Sequence, residues 1–197
     1  MRTWAPRGKT PVLQYHFNWK VLSATAGITW WNFYFRLYPM TIRAPQVVDF
    51  LGHLLRHLPG KLLVVWDGLP AHRARLVSEF IRAQRGRLAI ERLPGYAPEL
   101  NPAEYIWGYW KHHELPNFCP RDFGQLSYQA RRALCRMRRR PRLVRSFCRQ
   151  ANCHYDMQGS IGPQNAFMLG DHPALSVGWS CLQNYPVLNM RSLVFSD

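Results

Sequence analysis

The amino-acid sequence predicts an α/β fold with a mixed sheet, and three observations predict it. The hydrophobic period switches along the chain between two and about 3.6 residues. Leu62-Leu63-Val64-Val65-Trp66 is a continuous apolar run, as expected of a strand buried on both faces. The elements follow the order β-β-α-β-α-β-α, which joins an antiparallel hairpin to parallel crossover units. With 197 residues, 47% of them hydrophobic and 19% charged, the chain can bury a core, so wholesale disorder is excluded. That length suits one domain, or one domain with an appendage.

The first ten residues carry Pro6 and Gly8 ahead of Pro11 and read as a loop. Asn18–Thr29 and Trp30–Tyr38 are rich in β-branched and aromatic residues. In the second, Trp31, Phe33 and Phe35 alternate with Asn32, Tyr34 and Arg36, so both are strands, with a turn expected near Gly27. Ala44–Leu58 changes period: Val47, Val48, Phe50, Leu51, Leu54, Leu55 and Leu58 mark one helical face, and Pro59-Gly60 stops it. After Leu62–Trp66, a helix is expected over Ala71–Gln84 and a short strand over Leu88–Leu93. Asn101 reads as an N-cap with Pro102 at the first position of a helix running to about His113. Asp122–Arg149 reads as helical and holds nine arginines, with no acid after Asp122. The texture then changes. Residues 150–197 hold one Arg and three Asp, with scattered Gly, Pro, Ser and Asn and no sustained period.

Charge narrows the partner. Lys plus Arg number 26 against 11 acids, a net of +15, and only 4 of the 26 are Lys. A polyanion is the expected partner, with nucleic acid first and an acidic membrane surface second. The alternative source of the arginines is coding composition alone. The charge is uneven, since the first 149 residues carry 25 basic and 8 acidic side chains. Arg131, Arg132, Arg136, Arg138, Arg139 and Arg140 are the candidate phosphate contacts, against the plainer reading of a solvated helix face. No apolar run reaches the roughly 20 residues of a membrane span, and the N-terminus lacks an apolar signal region. The five cysteines include no C-x-x-C pair. Cys148, Cys153 and His154 cluster without a fourth ligand, so free thiols are expected rather than zinc.

The scarce acids are the more specific signal. Asp67 directly follows the buried-strand run, and ligands of open α/β sheets collect at the carboxyl ends of strands. Glu104 lies in the first turn of the helix that Asn101 caps. Two such carboxylates suit a hard cation that also takes water and phosphate oxygens. A metal site of that kind activates an attacking water or hydroxyl and stabilises the leaving oxygen of a phosphodiester. The plain alternatives are that Asp67 only begins a turn and that Glu104 completes a capping box with Asn101. His72 and Arg73 could face such a site, though His72 reads more simply as a surface residue at a helix start. His112-His113 read as surface.

Lys61-Leu-Leu-Val-Val-Trp-Asp67-Gly-Leu-Pro-Ala-His72-Arg73 resembles the second-aspartate block of insertion-sequence transposases related to the mariner group. Leu93-Pro-Gly-Tyr-Ala-Pro-Glu-Leu-Asn-Pro-Ala-Glu104-Tyr-Ile-Trp107 resembles their third-acid block, and 36 residues separate Asp67 from Glu104. Residues 2–11 resemble the loop after their first catalytic strand. The resemblance implies a ribonuclease-H-like mixed sheet flanked by helices, and an Asp-Asp-Glu site using Mg²⁺ or Mn²⁺. Asp67 and Glu104 carry over as the second and third acids and as metal ligands, and Trp107 as a packing residue. The implied partner is DNA, at element ends and at the target, cleaved and joined by a chain that forms a homodimer. No membrane is involved, and a cytoplasmic, nucleoid-associated location follows.

This chain departs from the family pattern at both ends. It begins at the loop, so the first strand with its leading Asp and the N-terminal helix-turn-helix module are expected to be missing. Asp49, inside the Ala44–Leu58 pattern, is no substitute. The expected division is therefore a partial catalytic domain over 1–120, a basic helical extension over 121–149 and an atypical tail over 150–197. That tail is either a frameshifted or read-through extension or an accessory segment packed on the core. The leading reading is a truncated transposase domain, inactive or nearly so on its own. Its rivals are a non-catalytic nucleic-acid-binding protein and a pseudogene product.

Overall fold

The computed structural model describes residues 7–8, 21–95, 98–116, 118–151 and 187–195. A five-stranded sheet forms the middle layer. β1 (Leu22–Ile28) and β2 (Phe33–Tyr38) make the antiparallel hairpin, β3 (Leu62–Trp66) and β4 (Leu88–Arg92) the parallel pair. β5 (Val187–Phe195) lies between the two pairs, giving the order β2-β1-β5-β3-β4. It runs antiparallel to β1, with Leu22 opposite Phe195 and Ile28 opposite Asn189. It runs parallel to β3, with Leu63 opposite Val187 and Trp66 opposite Met190. The sequence pattern gives no regular element in this tail, yet the tail supplies the central strand. The five-stranded sheet therefore has its middle filled by a segment that follows all the helices. The stretch 152–186 of the expected tail lies outside the described residues.

The hairpin turn sits later than Gly27. Gly27 is inside β1, opposite Tyr34, and the chain reverses over Thr29–Asn32. Polar side chains close that turn: Thr29 Oγ1 donates to the Asn32 carbonyl at 2.9 Å, and Asn32 Oδ1 accepts from Phe33 N–H at 2.9 Å. Glycine's freedom is less decisive here than two side chains that satisfy the turn's own backbone.

The two faces of the sheet carry separate cores. Helix α1 (Ala44–His57) and helix α2 (Arg75–Ala83) cover one face. Val47, Phe50, Leu51 and Leu54 of α1 meet Leu62, Val64 and Trp66 of β3, with Val77 of α2 closing the layer. On the other face, Leu22, Ala24, Ala26 and Ile28 of β1 and Phe33 of β2 pack with α3 (Pro102–Tyr109), α4 (Phe123–Arg138) and α5 (Pro141–Gln150). Trp107 is 2% exposed in this second core, in keeping with a packing role. All residues of β1 are buried, as a strand with neighbours on both sides and helices on both faces requires.

Two helices differ from expectation. Ala71–Gln84 is split into a 3-10 turn, Pro70–Arg73, and α2, because Ala74 is extended. His72 and Arg73 explain the break, since both bond back to the Asp67–Gly68 loop. The Asp122–Arg149 stretch is two helices. α4 ends at Arg138, and Pro141, which lacks an N–H, opens α5 at a first-turn position. Asp122 caps α4 by accepting from Gln125 N–H at 2.7 Å.

Candidate active site

Asp67 leaves the carboxyl end of β3 into a short loop. Its Oδ1 accepts from Leu69 N–H at 3.2 Å, so the turn-forming role is real. The same oxygen lies 3.0 Å from His72 Nδ1, which also lies 3.2 Å from the Asp67 carbonyl oxygen. Both oxygens accept, so Nδ1 carries the proton. His72 is 3% exposed rather than at the surface, and its ring stacks on Trp66 with centroids 4.4 Å apart and planes 11° off parallel. Arg73 donates to the Gly68 carbonyl at 2.6 Å, and Leu93 N–H donates to the Trp66 carbonyl at 2.8 Å. The Asp67 loop is thus tied down by the segment after it and by the end of β4. The Asp67 side chain keeps 24% of its surface open to solvent.

Glu104 sits in the first turn of α3. Asn101, 2% exposed, caps that helix as expected, accepting from Ala103 N–H at 3.1 Å, with Pro102 behind it. The Asn101 N–H that a capping-box carboxylate would take donates to the Pro98 carbonyl at 3.0 Å. Glu104 Oε1 is shielded from solvent. Helix α3 packs across β1 and β5, and β5 is the strand beside β3. The hard oxygens of Asp67 and Glu104 suit Mg²⁺ or Mn²⁺ in kind. Among the described residues no group of three metal-ligating side chains gathers around a common point, so waters and phosphate oxygens would complete the shell of an ion held by these two carboxylates.

Asp49 and Glu114 are occupied elsewhere. Asp49 lies on α1 and accepts from Arg36 at 2.6 Å and from the Tyr38 hydroxyl at 2.7 Å. Burial, and then the Asp49 carboxylate, push the Tyr38 phenol well above its ordinary range. Glu114, in a π-helical turn (Trp110–Glu114) after α3, escaped the sequence reading. Arg136 grips its Oε2 with two bonds, at 3.0 and 2.7 Å, and Arg140 its Oε1 at 3.1 Å. Of the six arginines expected to meet phosphate, these two are held by a carboxylate, and Arg138 lies over the Phe35 ring at 5.6 Å. Arg131, Arg132, Arg138 and Arg139 are exposed. His112 and His113 are exposed as expected. Cys119 and Cys135 are free thiols and Cys148 is buried, while Cys153, His154 and Cys181 lie outside the described residues.

The family described as DDE superfamily endonuclease matches residues 1–126 of this chain. The chain belongs to that family. Among solved structures, this family member is similar to the Mos1 transposase paired-end complex with left transposon end. The identity is 15% and the TM-score 0.58, over 77% of this chain and 47% of that one. The Mos1 strand transfer complex matches at 15% identity and a TM-score of 0.48, over 79% of this chain and 51% of that one. The chain thus spans about half the length of the Mos1 chain. At that identity the likeness shows the fold, a ribonuclease-H-like α/β arrangement. No curated protein matches the chain. Among the described residues, no helix is long and apolar enough to cross a membrane.

Proposed function

We propose that this endonuclease-family chain is the catalytic portion of a DNA transposase. It grips DNA and uses Asp67 and Glu104 to hold Mg²⁺ or Mn²⁺ for phosphodiester cleavage and strand transfer at element ends. The observation that carries the reading is the Asp67 carboxylate at the carboxyl end of β3, braced by Leu69 N–H and His72 Nδ1. A bound cation would polarise the scissile phosphodiester. The chain's own contribution is to fix its ligands: His72 orients one carboxylate, and the Asn101–Pro102 cap sets the start of the helix that carries the other. The exposed arginines of α4 contact phosphates. Joining two element ends gives each its own copy of the chain, so the reading extends to a homodimer bound to chromosomal DNA in the nucleoid.

The test is a Mn²⁺ titration followed by electron paramagnetic resonance, with plasmid nicking measured alongside. Wild-type chain takes up the ion, and Asp67→Asn and Glu104→Gln each weaken uptake. Unchanged uptake in both variants overturns the metal assignment. The non-catalytic reading is favoured by the arginine-rich α4. DNA binding that falls steeply with salt and ignores the metal would establish it instead.

A further inference from the structure

The arginines of α5 stand apart from those bound to Glu114. Arg142, Arg145 and Arg149 are spaced i, i+3 and i+7, so they share one helix face. Among the described residues no carboxylate pairs with any of the three. The Arg145 guanidinium lies 5.0 Å from the centroid of Trp31, and its Nε is shielded from solvent with no acceptor among the described residues. Trp31 stands at the hairpin turn and is 53% exposed, an unusual place for the largest apolar side chain. The turn is seated against α5 by Cys148, whose Sγ lies 3.8 Å from the Thr29 carbonyl. Further along the same face of the hairpin, Arg138 repeats the arrangement over Phe35 at 5.6 Å.

We propose that this edge binds single-stranded DNA, with Trp31 stacking on an unpaired base and Arg142, Arg145 and Arg149 following the backbone. The inference rests on DNA being the partner, and adds where a strand lies and in what state. Charge complementarity selects a polyanion, and the exposed ring selects its form. In a duplex every base already stacks on its neighbours, whereas an unpaired base offers a free face to tryptophan. From Arg142 to Arg149 the stripe runs roughly 10 Å, the reach of a few nucleotides.

The experiment is fluorescence anisotropy with a labelled oligothymidine and with a duplex of equal length. Trp31 is exposed, so Trp31→Ala should leave the fold intact, which circular dichroism checks. Trp31→Ala should weaken single-strand binding about tenfold, the worth of one stacked base. Trp31→Phe should restore most of it, and duplex binding should stay within about twofold. Arg142→Ala with Arg149→Ala should reduce the salt dependence of single-strand binding. Equal loss on both DNAs, or loss on neither, overturns the single-strand proposal while DNA remains the partner. Binding of neither DNA by the wild type overturns that broader reading as well.

Discussion

Glu114→Gln is expected to cost about 2 kcal/mol of stability, and the geometry sets that figure. The carboxylate is 7% exposed and accepts three charge-assisted bonds, while the guanidiniums of Arg136 and Arg140 are 40% and 50% exposed. Removing one partner of a fully buried pair costs about 3–5 kcal/mol, because the charge left behind has no water. Here both guanidiniums can hydrate once released, which lowers the loss, and glutamine keeps the volume and one acceptor. Its amide group would nevertheless point N–H toward N–H. The loss falls on the joint between the π-helical turn and α4, so it registers in global unfolding. Urea denaturation followed by far-ultraviolet circular dichroism is the assay. At a slope of about 2 kcal/mol per molar the midpoint should fall by about 1 M with the slope unchanged. A midpoint within about 0.2 M of wild type would refute the view that Arg136 and Arg140 are structural rather than DNA-facing.

His72→Phe keeps the ring on Trp66 but removes the donor to Asp67; Mn²⁺ affinity should fall about tenfold, with partial rescue by His72→Asn, and unchanged affinity would deny His72 its positioning role. His53 is held below its ordinary value of 6.5 by burial first and then by His57, Arg36 and Arg56. The unfolded chain therefore takes up this proton more readily, so stability should fall as the pH drops through about 6.5, with the loss complete below the folded-state value. His53→Gln should flatten that part of a stability-versus-pH curve, and an unaltered curve would exclude this residue as its source. Deleting residues 187–197 removes the strand joining β1 to β3, and cooperative unfolding should be lost; a sharp urea transition in the shortened chain would show that the sheet closes without it.

Local chemistry was legible, and distant pairing was not. Leu62–Trp66 is apolar at every position and so announces a strand covered on both faces. Asn101-Pro102 announces a helix start through the one side chain and the one missing N–H that suit it. Asp67 could be placed at the carboxyl end of β3 because it directly follows that run, and the turn that aspartate favours is the one it makes there. β5 has no comparable signal: Arg191 and Ser192 interrupt its apolar pattern, and its partners lie more than 120 residues earlier. His72 looked like the first turn of a helix because its bond to Asp67 depends on a loop conformation that spacing does not encode. Glu114 carries no local signal, because its value comes from two arginines 22 and 26 residues away.

The place of β5 also dictates an order of events during synthesis. The hairpin and the β3–β4 pair emerge early, but each presents an open edge until the last described strand arrives. Parallel pairing of β3 with β5 closes a loop of more than 100 residues, a slow step with a high entropic cost. Throughout that interval β1 and β3, the strands most deeply buried in the finished fold, offer unpaired backbone to any neighbouring chain. Nascent chains of this protein are therefore exposed to aggregation until translation reaches the segment that seals the sheet, and a chaperone would act on it in that window.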